Sequence, residues 1–301
     1  MSSLKVNIAG VEFENPVLTA SGTFGSGLEY SEFFDLNRLG GITVKGVSYE
    51  PWLGNEPSRI AETYGGMLNS VGLQNEGVFK FIEGDLAFLK NYNTNIIVNV
   101  CGHSIEEYKK VVEVLNEEDI DMYELNISCP NISSGGITFG TDCVQVEKVV
   151  SEVKRISKKP LIVKLSPNVT DIVSIAKSAE YAGADGISLI NTLIGMKIDI
   201  NSRKTILKNK VGGLSGPCIK PIALRMVYQV AKAVDIPVIG MGGISNHEDA
   251  IEFIMAGATA VSIGTANFLN PFVTLEIIDG MKNYLSETKV EDINSLIGVV
   301  E

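Results

Sequence analysis

The stretch best equipped for chemistry is Asn126-Ile127-Ser128-Cys129-Pro130-Asn131. It follows Asp121–Leu125, which reads as a strand leaving the core, and precedes the glycine-rich Ser133-Ser134-Gly135-Gly136, suited to a lid. A thiol just past a strand end can serve as a base or a nucleophile, with an ordinary pKa of about 8.5. The neighbouring amides offer both donors and an acceptor to a planar polar ligand. A free cysteine is also among the most often buried residues, so a packed, inert thiol is the plainer reading of Cys129 alone.

Other residues of the same kind stand at the ends of short apolar runs: Ser21, Lys45, Asn99, Asn126, Lys164, Asn191, Gly242-Gly243 and Gly264-Thr265. One asparagine after a strand is usually a turn residue and one lysine usually a solvated charge. Their joint occurrence at successive run ends points to one shared site. Glycines at Gly242, Gly243 and Gly264 let backbone N–H groups approach a phosphate, and Gly212 to Pro217 can add a backbone contact. Lys45 and Lys164 beside a phosphate-anchored cofactor suit a flavin, whose anionic reduced form a cation stabilises. A Schiff base on Lys164 is the competing use. The amides of Asn69, Asn99, Asn126 and Asn191, with Thr192, fit a heterocycle with alternating N–H and C=O groups.

The elements that must position these residues alternate. Eight β-rich runs, Val17–Ala20, Gly41–Lys45, Ile96–Val100, Met122–Ile127, Pro160–Leu165, Gly186–Ile190, Pro237–Gly240 and Ala260–Ile263, are mostly continuous in hydrophobicity, as in parallel strands covered on both faces. Between them Ser104–Asn116, Asp142–Ile156, Ile172–Ala182, Ile222–Val234 and His247–Ala256 carry apolar residues at helical spacing. Eight strands, each followed by a helix, predict an α/β fold of the (β/α)8 TIM barrel type, in one domain over 1–301. A doubly wound sheet is the alternative, but the glycines after the first run lack the dinucleotide spacing. An N-terminal β-hairpin is expected over Leu4–Phe13, turning near Ala9-Gly10. Two connections, 46–75 and 191–220, are long; both follow strands and so belong to the C-terminal face, where barrel active sites lie.

The 301 residues include 45% hydrophobic and 20% charged residues, enough for a large core. A net charge of −11 without a basic stripe argues against nucleic acid. The four cysteines form no C-x-x-C pair, so no metal or iron–sulfur site is expected on this chain. No run approaches the ~20 apolar residues of a membrane span. The N-terminus shows no signal-peptide pattern, so reduced thiols in a cytoplasmic protein are expected. Cys101, Cys143 and Cys218 read as packing or surface thiols. His103 falls near the mouth and His247 at a helix start, neither with a partner pattern for metal or triad.

The motifs Asn15-Pro16, Ala20-Ser21-Gly22, Lys45-Gly46, Asn69-Ser70-Val71-Gly72-Leu73-Gln74-Asn75, Asn126 to Asn131, Val163-Lys164-Leu165-Ser166-Pro167, Ile190-Asn191-Thr192, Gly212 to Pro217, Gly242-Gly243 and Ile263-Gly264-Thr265 run in order across nearly the whole chain. In them the chain resembles the soluble class 1 dihydroorotate dehydrogenases, most of all the catalytic subunit of class 1B. The resemblance implies FMN held by Ser21, Lys45, Gly46, Asn99, Asn126, Lys164, Ile190, Gly216, Gly242, Gly243, Gly264 and Thr265. It implies substrate contacts from Lys45, Asn69, Ser70, Val71, Gly72, Leu73, Asn126, Asn191 and Thr192, with Cys129 as base. Dihydroorotate would lose a proton from C5 and a hydride from C6, giving orotate for pyrimidine synthesis. Class 2 relatives use a serine base and an N-terminal extension. The segments Ile137–Asp142 and Gly213–Pro217 resemble class 1B, in which a partner subunit carries FAD and a 2Fe–2S cluster and passes electrons to NAD, in a heterotetramer around a homodimer. A class 1A-type enzyme discharging to fumarate is the alternative.

Overall fold

A run such as Leu161-Ile162-Val163-Lys164 has no polar face to turn to water, and all four residues are buried. The computed structural model describes residues 2–128, 130–131 and 137–301. Cys129 and the expected lid Ser133–Gly136 lie outside the described residues. Eight parallel strands close into a barrel in sequence order. They are Val17–Thr19, Gly41–Thr43, Asn95–Val100, Met122–Asn126, Leu161–Lys164, Gly186–Leu189, Val238–Met241 and Ala260–Ile263. Pairing of Val261 with Val17 joins the eighth strand to the first.

The helices start where a short polar side chain can satisfy their free N–H groups. Ser104 caps Ile105–Leu115 by accepting from Glu107 N, and Asp142 caps Cys143–Lys154 by accepting from Gln145 N. Asp171 and Asn246 do the same for Ile172–Tyr181 and His247–Met255. Each helix lays an apolar stripe on the barrel; Tyr108, Val111, Val112 and Leu115 are buried from the first of them. The hairpin forms as expected, Val6–Ile8 against Val11–Phe13, with Ala9 and Gly10 both at positive φ (52° and 89°). That conformation suits a two-residue turn between right-twisted strands. Its Phe13 ring packs beside Gly41, and Asn95 Nδ2 donates to Glu12 O at 2.9 Å, closing the end of the barrel opposite the mouth.

Two expectations need correction. The first strand is followed not by an α-helix but by the 3-10 turns Tyr30–Glu32 and Leu36–Arg38. Its connection carries Gly22, Gly25 and Gly27 at positive φ and is packed instead by Phe24 stacked on Tyr30, with ring centroids 3.9 Å apart. The two long connections are not open loops. They pair into one four-stranded sheet over the mouth, in the order Leu193–Met196, Val211–Ser215, Gly66–Asn69, Ile60–Thr63. Its small core is Ala61, Leu68 and Leu207. Gly212 and Gly213 allow the close approach: side chains there would run into Leu207 and Thr192.

Gly240 shows how tightly the seventh strand is seated. A Cβ at Gly240 would lie 2.6 Å from Phe253 Cδ1, on the helix behind it. Gly240→Ala should therefore lower stability by about 1–3 kcal/mol, with Phe253→Leu recovering part of the loss. Urea unfolding of the three proteins checks this; an undiminished midpoint in Gly240→Ala would contradict the packing.

Candidate active site

Strand periodicity sorts the fourth strand into two faces. Tyr123 points outward, its hydroxyl donating to Asn116 Oδ1 at 3.1 Å at the end of a helix. Glu124 and Asn126 share the other face and enter the barrel. There the Glu124 carboxylate accepts from Asn99 Nδ2 at 2.6 Å, from Lys164 Nζ at 3.3 Å and from Ser188 Oγ at 2.8 Å. Asn99, Glu124 and Lys164 expose 0%, 3% and 5% of their surface, so these polar groups depend on one another rather than on water. Asn99 passes the order on: its Oδ1 accepts from Asn126 Nδ2 at 3.4 Å. Asn126 in turn accepts from Ser128 N at 3.2 Å through Oδ1, and its carbonyl accepts from the buried Tyr108 hydroxyl at 2.7 Å.

Above this network opens a cavity of about 970 Å³, at the upper end for small-molecule and cofactor sites. Lys45, Asn126, Lys164 and Asn191 line it, with Thr192 and Asn69. The run Ser70, Val71, Gly72 and Leu73 forms part of its wall, and Ser21, Gly46 and Ile190 another part. At the far end lie Gly216, Gly242, Gly243, Gly264 and Thr265. Gly242 has φ 126° and a Cβ there would lie 2.7 Å from Ala223 Cβ; at Gly243, with φ 79°, it would lie 2.8 Å from Lys220 N. Only glycine fits such a cradle. Asn99 does not line the cavity; it sits beneath the wall and reaches it through Asn126.

Sequence reasoning missed Glu124 and Ser188, the anchors of this arrangement, as well as Trp52 and Arg59. A signal for Glu124 was present: a carboxylate within Met122-Tyr123-Glu124-Leu125-Asn126 is intolerable in a buried strand unless paired. Trp52 and His103 both line the cavity and stack at the rim, ring centroids 4.0 Å apart and 16° from parallel. Arg59 donates through Nη1 to Gln74 Oε1. Cys101 is buried, Cys143 half-buried and Cys218 exposed. Among the described residues no cluster of His, Cys, Asp or Glu could hold a metal ion, and no helix is long and apolar enough to cross a membrane.

The electrostatics invite an anion. Burial pushes the Lys45 ammonium below the ordinary lysine pKa; Cys101 opposes this shift and the Arg59 charge adds to it. An anionic ligand beside Lys45 would relieve both the desolvation and the like-charge repulsion.

The family profile described as "Dihydroorotate dehydrogenase" matches residues 3–285 of this chain. A protein of Lachnoclostridium phytofermentans named "Dihydroorotate dehydrogenase B (NAD(+)), catalytic subunit" is 64% identical over 296 residues, 98% of this chain and 99% of its own. One of the same name from Petrotoga mobilis is 54% identical over 300 residues, 100% of both chains. The crystal structure of DHODH in complex with ferulenol from Eimeria tenella superposes with a TM-score of 0.82 at 23% identity, over 98% of this chain and 88% of that one, a likeness of fold.

Lys45 yields a prediction with a definite sign. Its pKa in the folded protein lies below the unfolded value, so the unfolded state binds more protons between the two. Its charge therefore costs stability at neutral pH, and the cost fades as pH rises toward the ordinary value of 10.5. Lys45→Met should raise the melting temperature of the ligand-free protein at pH 7 by about 1–3 °C, with the gain shrinking as pH rises toward 10.5. A fall in melting temperature at pH 7 would contradict it.

Proposed function

The chain belongs to the dihydroorotate dehydrogenase family, and on that premise we propose that it oxidises dihydroorotate to orotate on bound FMN in cytoplasmic pyrimidine synthesis. In this reading its electrons reach NAD through a partner subunit carrying FAD and a 2Fe–2S cluster, in a heterotetramer built on a homodimer of this chain. The observation that carries it is the meeting of Lys45, Lys164, Asn69, Asn126 and Asn191 in one cavity whose far end is a glycine cradle. The names of the relatives, a catalytic subunit linked to NAD, support the acceptor and the need for a partner.

The donor set fits FMN. Gly242, Gly243, Gly264 and Thr265 would hold its phosphate with backbone N–H groups, and Ser21, Gly46, Ile190 and Gly216 would bound the ring. Lys164 would favour the reduced, anionic ring, with Asn99 acting through Asn126. When bound, FMN supplies the acceptor for the hydride leaving C6. The amides of Asn69, Asn126 and Asn191, with Thr192 and the backbone of Ser70 to Leu73, would match the alternating N–H and C=O groups of the substrate ring. Lys45 would meet the substrate carboxylate, an anion of the kind its depressed pKa calls for. Cys129 would take the C5 proton, the role of a thiolate beside a carbonyl-activated carbon. The Lys164–Glu124 contact at 3.3 Å weighs against a Schiff base, because it commits the Lys164 amino group to a carboxylate partner.

Stopped-flow reduction of the flavin by dihydroorotate tests the assignment. Cys129→Ser should slow reduction by at least about 10²-fold at pH 7, with the deficit easing as pH rises. The wild-type chain alone should reduce its flavin yet pass electrons to NAD slowly. Unchanged reduction by Cys129→Ser would remove Cys129 from the reaction, and fast NAD reduction by the lone chain would remove the need for a partner.

A further inference from the structure

Among the described residues Glu124 is the one carboxylate drawn into the polar network beneath the cavity, and no role in binding or proton transfer falls to it. It lies below the cavity wall, 3% exposed. Its carboxylate accepts from three side chains: Asn99 and Lys164 on the two flanking strands, the third and fifth, and Ser188 one strand further on, on the sixth. Two consequences follow from elementary electrostatics. The Lys164 ammonium, itself 5% exposed, is fixed at the cavity wall by a partner 3.3 Å away. Any group in the cavity then feels a Lys164–Glu124 dipole rather than an isolated positive charge, because the two fields largely cancel beyond a few ångströms. Asn99 is oriented by the same carboxylate: with Nδ2 donated to Glu124, its Oδ1 is turned to Asn126 Nδ2, at the wall of the cavity.

We propose that Glu124 is a positioning residue that holds Lys164 and the Asn99–Asn126 amides in register and, by offsetting the Lys164 charge, sets the redox poise of the bound flavin. This rests on the FMN reading above. The carboxylate keeps the reduced, anionic flavin less favoured than a lone lysine would. A moderated potential suits a centre that must accept a hydride from substrate and then release its electrons to a second carrier.

Glu124→Gln separates charge from shape. The glutamine oxygen can still accept from Lys164 and Asn99, and the Ser188 hydroxyl can turn to accept from the new amide. In the FMN-loaded protein, equilibration with a reference dye should show the midpoint potential raised. At a fixed poise the ratio of reduced to oxidised flavin should rise about tenfold, equivalent to ~30 mV for a two-electron couple. An unchanged or lowered potential overturns the proposal. A melting cycle guards against misfolding of the single variant. Lys164→Met leaves the carboxylate buried without its cation, so Lys164→Met/Glu124→Gln should melt above Lys164→Met alone; a double variant no more stable than the single one overturns the pairing. A wild type that binds no flavin would overturn the FMN reading and the claim about its potential together, while the melting cycle, run without flavin, still decides the pairing.

Discussion

A carboxylate and an ammonium lie 3.3 Å apart inside a barrel of valine, isoleucine and leucine, and neither is tolerable there without the other. Leaving one of such a pair alone costs about 3–5 kcal/mol. The pair therefore constrains the strands that carry it. Lys164 must stand beside Asn126 and Ser188, as the register of the fourth, fifth and sixth strands places it. A slip of one residue would send Glu124 and Lys164 out among the helices. The same contact that pins the register brings a cation to the floor of the cavity, so fold and site are joined at one point.

From that floor the site is assembled by elements far apart in the chain. The strand ends bring lysines and amides; the glycine turns after the seventh and eighth strands bring backbone N–H groups. The sheet from the two long connections roofs them, with Asn69 Nδ2 reaching Gly213 O at 3.3 Å. A barrel mouth is suited to this because each strand delivers its last side chain to a common rim while the strands stay rigid behind it.

The barrel was legible in the sequence because parallel strands buried on both faces leave continuous apolar runs. The helices were legible because their apolar residues recur at helical spacing, as Tyr108, Val111, Val112 and Leu115 do, and these are the residues they bury. The strand-end lysines and asparagines stood out for being polar where packing alone would ask for something apolar. The roof was not legible: its strands are four or five residues long, three of the four contain glycine, and the pairing that joins its halves, Gly66–Asn69 with Val211–Ser215, spans more than a hundred residues of chain. The run around Glu124 signals that its carboxylate must be paired, but the partners Asn99, Lys164 and Ser188 come from three other strands that spacing along the chain does not bring together. Asn99 stood in the ring of strand ends, yet it is fully buried beneath the cavity wall, held between Glu124 and Asn126.

The central proposal is that the cavity holds a flavin that dihydroorotate reduces, and the visible spectrum of the purified chain reads this directly. A yellow protein is expected, with flavin bands that bleach when dihydroorotate is added without oxygen. A chain that stays colourless after incubation with FMN, or a bound flavin whose bands dihydroorotate leaves unchanged, would contradict it.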